Sequence, residues 1–443
     1  MRGVAVAIIV FGSLPFILAR PWIGILMWSW IGYMNPHRLS WGFAFNYPFA
    51  MVIGVTTLIG WVVSREPKHP PWNGLVIMLV VFNLWMLFTS FFMLNPADGW
   101  HEWDKVVKVQ LMTFVTMMLM QDRRRLHALV WVIAGSVGFF GIKGGLFTIL
   151  TGGQYMVLGP PHSFMPGNTE IGLALSMILP LFRYLQLNSE NKWVRRGLGA
   201  AMALTGVAII GTYSRGAFLA GGVMGVMLLA KSRKRALIGL GLIVVAATMY
   251  HFMPEKYFHK MDTIETYRQD RSALGRLNAW WFAFNLANAR PIVGGGFEAF
   301  TPELFKKYAP EPENYHDSHS IYFEVLGEQG YPGLLIFLTV GVLAWRYGSW
   351  TMRHCRGRPD LKWASDLAAM VQVSLAAYAV GGAFLGLAYF DLAWGLVALQ
   401  VLTRVLVQRA LEEAPIPGDG EGRDRTPVRE FVRRPGVVAD GGR

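Results

Sequence analysis

Two histidines are the side chains in this 443-residue chain that are best suited to moving a proton. His316 and His319 lie three residues apart, where a long polar segment meets an apolar one. An imidazole titrates near neutral pH, so it can accept a proton from a hydroxyl group, and a carboxylate such as Asp317 can fix its tautomer. The alternative interpretation is that both histidines simply lie at a membrane surface and that Asp317 caps a helix.

Three glycines follow the histidine pair at intervals of three residues: Gly327, Gly330 and Gly333. If Ser318 caps the next helix, His319 stands in its first turn, and Gly330 falls on nearly the same face three turns later. A helix face without side chains lets another helix or a lipid chain come close to the backbone. The glycines therefore predict close packing, or a lipid groove, below the histidine. Gly330, Pro332 and Gly333 together predict a kink or a break near mid-membrane.

Two arginines are suited to binding a diphosphate. Arg215 lies in a turn between two apolar segments, and Arg276 lies in a segment with helical periodicity. A guanidinium group makes planar, bidentate contacts with phosphate oxygens that a lysine makes less well. The sequence predicts that both arginines reach one point on the outer leaflet. The alternative for Arg215 is that its side chain only extends to the lipid head groups.

Five other polar side chains are candidates for binding or orienting a substrate: Lys143, His162, Asn168, Tyr213 and His316. Lys143 interrupts an apolar run, where a cation is costly unless it is paired or faces a polar cavity. It would either assist the same anion or extend outward to the membrane surface. His162 and Asn168 lie in a proline-rich segment that would either bind sugar hydroxyls or form a rigid connection.

The polar segment 254–318 has features of a folded layer. Residues 272–287 show the periodicity of an amphipathic helix, with Ser272 as its N-cap. Three successive glycines at 294–296 could offer backbone amides to an anion, although an ordinary flexible turn is the favoured interpretation.

The composition is that of a polytopic membrane protein, because 53% of the residues are hydrophobic and only 16% are charged. Apolar runs near the roughly 20 residues that cross a bilayer occur at 3–19, 21–34, 48–64, 73–93, 106–120, 126–150, 170–185, 197–212, 216–230, 236–253, 320–346, 363–386 and 391–407. Several are short, and the first two, 3–19 and 21–34, are nearly continuous. We therefore expect an all-α protein with about 12 transmembrane helices.

The distribution of Lys and Arg in short loops predicts the orientation. Basic clusters at 123–125, 192–196, 231–235 and 346–362 fall on one side, which we assign to the cytoplasm, and the histidines fall on the other. The predicted organisation has four parts: N-terminal transmembrane helices (1–253), a large periplasmic loop with amphipathic helices (254–319), C-terminal transmembrane helices (320–408) and a disordered cytoplasmic tail (409–443).

The net charge of +13 is explained by these basic loops, which also attract anionic membrane lipids. No helix-turn-helix, zinc-finger or RNA-binding signature accompanies the charge, so we expect no nucleic-acid partner. The single cysteine, Cys355, excludes an internal disulfide. The outer segments contain no Asp-x-Asp pair, so we expect no metal site.

The segment HSIYFEVLGEQGYPG at 319–333 resembles the signature of bacterial O-antigen ligases. That signature combines a histidine and a small polar residue with a later Gly-x-x-Gly, which correspond here to His319, Ser320, Gly330 and Gly333. The similarity extends over most of the chain, through the apolar spans, the large polar segment, and the Ser-Arg-Gly and Gly-Arg sequences at Arg215 and Arg276. Residues 28–43 are more similar to a subgroup of O-glycosylation ligases, which bears on the acceptor.

The resemblance implies a glycosyltransferase C-type (GT-C) fold in the inner (cytoplasmic) membrane of a bacterium, with the active site facing the periplasm. It implies a glycan donor linked to undecaprenyl diphosphate and a lipid A-core acceptor, as in lipopolysaccharide biosynthesis. His319 would then be the general base, and Arg215 with Arg276 would stabilise the departing diphosphate in an inverting reaction without cofactors. An O-antigen polymerase, a protein O-oligosaccharyltransferase and a lipid-linked glycan transporter are the alternatives.

Overall fold

Helices form all of the regular structure in the computed structural model, which describes residues 2–231 and 271–413. The first nine are α1 (Arg2–Ala19), α2 (Trp22–Met34), α3 (Phe49–Val63), α4 (Gly74–Ser90), α5 (Pro96–Leu119), α6 (Arg123–Leu150), α7 (Asn168–Leu187), α8 (Lys192–Gly211) and α9 (Arg215–Lys231). The second described range contains α10 (Arg271–Ala289), α11 (Pro302–Tyr308), α12 (Ile321–His354), α13 (Lys362–Gly381) and α14 (Asp391–Glu412).

Seven described helical stretches are long and apolar enough to cross a membrane: Arg2–Ala19, Arg123–Leu150, Asn168–Leu187, Lys192–Gly211, Ile321–His354, Pro359–Phe384 and Asp391–Glu412. Two shorter apolar helices, Phe49–Val63 and Gly74–Ser90, accompany them. The chain is therefore a multi-pass, helical membrane protein. The figure of about 12 crossings stays a prediction, because the expected span at 236–253 lies outside the described residues, as do 254–270 and the tail from 414.

Helices α12, α13 and α14 pack on one another and form the centre of the bundle. Helices α7 and α9 cover one side of α13, and α4 packs against α12. On the N-terminal side, α6 packs closely on α8 through a glycine face: a Cβ on Gly145 would lie 2.1 Å from the Leu204 carbonyl oxygen. Small residues at such positions allow backbones to approach, which is a common basis for helix association in membranes.

The backbone of α12 is broken at Gly330, as the sequence predicted, although the break lies nine residues after the start of the helix and not near its middle. Its φ of 68° and ψ of −174° are not helical, and Pro332 follows two residues later. The position also has no room for a side chain, because a Cβ on Gly330 would lie 2.4 Å from the carbonyl oxygen of Ile292. Glycine is therefore required here both for its conformation and for its size.

The break leaves α12 carbonyl groups without helical partners, and the glycine-rich segment 291–296 supplies replacements. The amides of Gly295 and Gly296 donate to the carbonyl oxygens of Gly327 and Glu328, each at 2.8 Å. Beyond the break, the Tyr331 amide donates to the Pro291 carbonyl oxygen at 3.0 Å. Two amides that an anion would have needed are thus already used, which favours the turn interpretation of residues 294–296 over an anion-binding one.

Helix α10 confirms the amphipathic helix expected at 272–287, although it begins at Arg271, so Ser272 lies inside it. Its buried face packs on α11, where the rings of Phe282 and Phe305 stack with centroids 4.2 Å apart. The same helix contacts α12, and Ala283 lies beside Gly327. Helix α10 therefore lies over the first turns of α12.

Replacing Gly330 by alanine is expected to destabilise the protein. The new methyl group would meet the Ile292 carbonyl group in a left-handed conformation that L residues rarely adopt. Strain and overpacking at such a site cost about 2–5 kcal/mol in the free energy of unfolding. The midpoint of thermal unfolding in detergent should fall by at least about 5 °C.

Gly341→Ala is the matched control in the same helix, because a Cβ there meets no heavy atom within 4 Å. Alanine is a better helix former than glycine by about 1 kcal/mol, so we expect no loss of stability. Equal destabilisation by the two substitutions would contradict the structural role assigned to Gly330.

Candidate active site

His319 lies in the connection before α12 and not in its first turn. The helix begins at Ile321 with Ser320 as its N-cap residue, so the expected cap at Ser318 is wrong. His319 has a φ of 42°, in the left-handed region. This region costs a residue with a side chain about 1–2 kcal/mol, although histidine is among those found there more often. Local backbone conformation thus sets the direction of the imidazole.

Helix α10 holds this histidine connection from one side. The indole Nε1 of Trp280 donates to the Ser318 carbonyl oxygen at 3.0 Å. The same indole stacks on Phe323 of α12, with ring centroids 5.1 Å apart and planes 9° apart. Trp280 therefore fixes the connection on both sides of His319.

A second contact brings Arg276 to the histidines. The ring of His316 lies against Gly275, where a Cβ would come within 2.2 Å of the imidazole Cδ2 atom. Arg276 is the next residue of α10 and is close enough to act on His319 electrostatically. The rings of His316 and His319 are 6.5 Å apart. The structure therefore brings together His316, His319 and Arg276, which the sequence had indicated as candidates.

The pKa of His319 lies below its ordinary value. Burial of the imidazole is the main cause. The Asp317 carboxylate opposes this shift, while Arg276 and His316 add to it because a second positive charge nearby is unfavourable. His319 is consequently neutral at physiological pH, which is the form that accepts a proton.

Two carboxylates that the sequence analysis missed form a polar layer beside this connection, in which Glu328 is buried and Glu324 half-buried. Glu324 of α12 accepts a hydrogen bond from the Ala388 amide at 3.1 Å. Glu328 accepts from the Glu298 amide at 3.0 Å and from the Tyr389 hydroxyl at 2.7 Å. The sequence did contain a signal for these residues, namely two acids four residues apart in an apolar span. Such groups are costly in a membrane unless they are hydrogen-bonded, so they indicate a buried polar contact.

The segment between α13 and α14, residues 382–390, closes the site from the other side. A Cβ on Gly386 would lie 2.9 Å from the Ser318 hydroxyl, 3.4 Å from an Asp317 carboxylate oxygen and 3.5 Å from a Glu324 carboxylate oxygen. These polar atoms thus converge on one point of the segment. Among the described residues, no group of three His, Cys, Asp or Glu side chains is arranged to hold a metal ion.

Arg215 is the first residue of α9 and lies in a turn that meets the same 382–390 segment. A Cβ on the adjacent Gly216 would lie 3.6 Å from the Cβ of Phe384. Phe384 in turn contacts Trp280, with ring centroids 6.3 Å apart. The Arg215 turn and the histidine connection therefore border one short segment.

Tyr213 and Asn168 hold the backbone around Arg215. Tyr213 has a φ of 55°, and its hydroxyl donates to the carbonyl oxygen of Gly153. The Asn168 side-chain amide donates to the Thr212 carbonyl oxygen at 2.8 Å. These contacts fit a role in orienting the turn, and for Asn168 they favour the rigid-connection interpretation.

His162 and Lys143 are not brought into this arrangement by any described contact. His162 is exposed and meets Phe45 edge to face, with ring centroids 5.8 Å apart. Lys143 is exposed on α6 beside the exposed Ile142, while the glycine face of the helix packs on α8. This favours the interpretation in which Lys143 extends outward.

The three signature glycines pack against protein, so the lipid groove expected at Gly327, Gly330 and Gly333 is not present in that form. All three are buried. A Cβ on Gly327 would lie 3.3 Å from Ala283, and one on Gly333 would lie 3.2 Å from the Trp85 indole nitrogen. The glycine face therefore allows other parts of the protein to pack closely against α12, which was the other expectation.

Two known protein families match separate parts of the chain. Residues 200–338 match the sequence model of the O-antigen ligase family, and residues 1–186 match that of a family of unknown function. The first match contains the Arg215 turn, α10, the histidine connection and α12 through the break at Gly330. No curated protein matches the chain significantly.

The helical fold and the match together define a multi-pass membrane protein with a glycosyltransferase-like ligase domain. Residues 200–338 therefore form an O-antigen ligase family domain. The presence of this domain supports an enzyme in general.

Replacing Glu328 by alanine is expected to destabilise the protein, because the Glu298 amide and the Tyr389 hydroxyl both lose their acceptor. The Tyr389 side chain is buried, and a buried group left unpaired costs about 1–3 kcal/mol in the free energy of unfolding. Glu328→Gln keeps an acceptor oxygen and should lose less. Thermal unfolding in detergent measures both.

Glu313→Ala is the control, because this side chain is exposed and surface substitutions change stability by about 0.5 kcal/mol at most. If Glu328→Ala unfolds at the same temperature as Glu313→Ala, the polar layer contributes no stability through Glu328.

Proposed function

We propose that this protein is a membrane glycosyltransferase that transfers a glycan from undecaprenyl diphosphate to the lipid A-core oligosaccharide. The reaction is metal-independent and inverts the configuration at the anomeric carbon. The observation that carries the proposal is the environment of His319, which is partly buried, has a lowered pKa and lies near Arg276. A neutral base beside a cation suits a reaction that removes a proton at one point and releases an anion at another.

The transfer step needs one base and one anion-binding group. An acceptor hydroxyl oxygen attacks the anomeric carbon of the donor sugar while His319 takes the hydroxyl proton. The bond between that carbon and the diphosphate oxygen breaks, and its electron pair leaves with undecaprenyl diphosphate. Attack from the face opposite the diphosphate inverts the configuration.

Arg215 and Arg276 bind the diphosphate in this mechanism. Both belong to elements that border the 382–390 segment and the histidine connection, which supports a shared ligand. Bidentate guanidinium contacts stabilise the charge that develops on the leaving group. His316 and Tyr213 then orient His319 and the Arg215 turn.

We assign the protein to the bacterial inner membrane with His319 on the periplasmic face. The chain alternates between the two ends of the bundle, so the basic clusters at 123–125 and 192–196 lie at the end opposite to His319. Basic loops stay in the cytoplasm. A site at the outer end of the helices fits a GT-C architecture.

Transfer by the purified, reconstituted protein tests the proposal. The assay contains undecaprenyl diphosphate-linked glycan, lipid A-core acceptor and excess chelator, without ATP. His319→Gly should lower the rate about 10²–10⁴-fold, because glycine accepts the φ of 42° but provides no base. Arg215→Ala and Arg276→Ala should each lower it about 10²–10³-fold.

The matched controls are His354→Ala, a histidine at the far end of α12 that stacks on Trp350, and the exposed Arg195→Ala. Both should retain the wild-type rate. Full activity in His319→Gly would overturn the assignment of the base. Extension of glycan on the donor would identify a polymerase, transfer to a protein would identify an oligosaccharyltransferase, and movement of intact donor across the bilayer would identify a transporter.

The pH dependence of kcat/KM tests the charges around His319. Protonated His319 cannot accept a proton, so the rate falls as the pH drops through the lowered pKa of this group. Asp317→Asn removes the charge that raises this pKa, so the acid limb of the profile should move to lower pH. His316→Gln removes a group that lowers it, so the limb should move to higher pH.

Opposite shifts in these two variants are the specific expectation. An acid limb that stays at the wild-type pH in both would show that another group titrates.

A further inference from the structure

A cavity of about 710 Å³ lies at the end of the bundle opposite to His319. It is bordered by the last residues of α1 and α3 and by the first residues of α2 and α6. Helix α6, about 42 Å long, separates this cavity from the loop that reaches Tyr213. The cavity therefore has no part in the transfer site.

Four arginines border the cavity: Arg20, Arg65, Arg124 and Arg125. Arg125 is already engaged, because it forms ion pairs with Glu66 at 2.9 Å and with Asp122 at 2.7 Å. Arg20, Arg65 and Arg124 are exposed and have no ion pair or hydrogen bond from their side chains to the rest of the described chain. The two acids of the cavity are thus both bound to Arg125, and with four arginines against two acids the lining has a net charge of +2.

The helix ends do not neutralise this charge. Two helix N-termini and two helix C-termini meet at the cavity, so their partial charges largely cancel. The side chains therefore decide the sign of the potential, which is positive.

Exposed apolar side chains adjoin the cavity. Leu18 of α1 and Val63 of α3, next to the lining, are 48% and 82% exposed. Trp22 lines the cavity itself, and the Arg125 guanidinium lies 5.6 Å from its ring centroid. Exposed aliphatic side chains below a tryptophan and a group of arginines are typical of a membrane interface.

We propose that this cavity binds the phosphodiester head group of an anionic phospholipid, with Arg20, Arg65 and Arg124 contacting the phosphate and the acyl chains lying along Leu18 and Val63. Arginine suits this ligand because its planar donors match phosphate oxygens. The cavity volume falls within the range of about 300–1,000 Å³ that is usual for small-molecule sites. The adjacent apolar surface distinguishes a lipid from a soluble phosphate.

Native mass spectrometry of the full-length protein in detergent tests the proposal, with a short-chain phosphatidylglycerol as the probe. The wild type should bind phosphatidylglycerol in preference to phosphatidylcholine of the same chain length. The triple variant Arg20→Gln, Arg65→Gln, Arg124→Gln should bind phosphatidylglycerol about 100-fold more weakly. Each basic residue near the head group raises the affinity by about fivefold.

The control variant Arg195→Gln, Arg353→Gln, Arg356→Gln removes three exposed arginines from the same end of the bundle and should bind as the wild type does. If the triple variant does not fold, the single Arg124→Gln variant should show a several-fold loss instead. Equal binding of phosphatidylcholine, equal losses in the two triple variants, or displacement by inorganic phosphate at the lipid's own concentration would each overturn the proposal.

Discussion

The carbonyl groups released by the break in α12 hold the candidate site in place. These residues are buried, and each buried carbonyl group left unpaired would cost about 1–3 kcal/mol. Here the Gly327 and Glu328 carbonyl groups accept from the glycine-rich segment 291–296, and the Gln329 carbonyl group accepts from the Trp85 indole at 2.9 Å. That segment follows directly on α10, so the helix that carries Arg276 is bound to the helix that follows His319.

Charged side chains also determine the properties of the candidate site. Burial keeps His319 neutral, while Asp317 limits how far its pKa falls. The carboxylates of Glu324 and Glu328 bond to groups of the 382–390 segment and to the Glu298 amide. The base, the neighbouring cation and the acidic layer are thus held by different parts of the chain.

The sequence predicted those features that depend on neighbours along the chain. Apolar runs identified the membrane helices, periodicity identified α10, and Gly330 with Pro332 identified the break. Features that depend on distant contacts were missed. Capping rules favoured Ser318, whereas a hydrogen bond from Trp280 to its carbonyl group sets the connection there.

The same limit applies to the glycine face and to the two acids. A bare helix face reveals that something packs closely but not what, and here Ala283 and Trp85 pack against it. The partners of Glu324 and Glu328 lie about 60 residues further along the chain, at Ala388 and Tyr389. A local sequence pattern cannot predict hydrogen bonds between residues so far apart in the chain.

The break also divides α12 into two parts that can tilt relative to each other. The part after Gly330 is about 36 Å of helix, which is enough to cross the roughly 30 Å hydrocarbon region by itself. When a bilayer is thinner or thicker, a crossing helix adjusts by tilting. A tilt about Gly330 leaves the first part attached to α10 and to the 382–390 segment, so the geometry around His319 is insulated from membrane thickness.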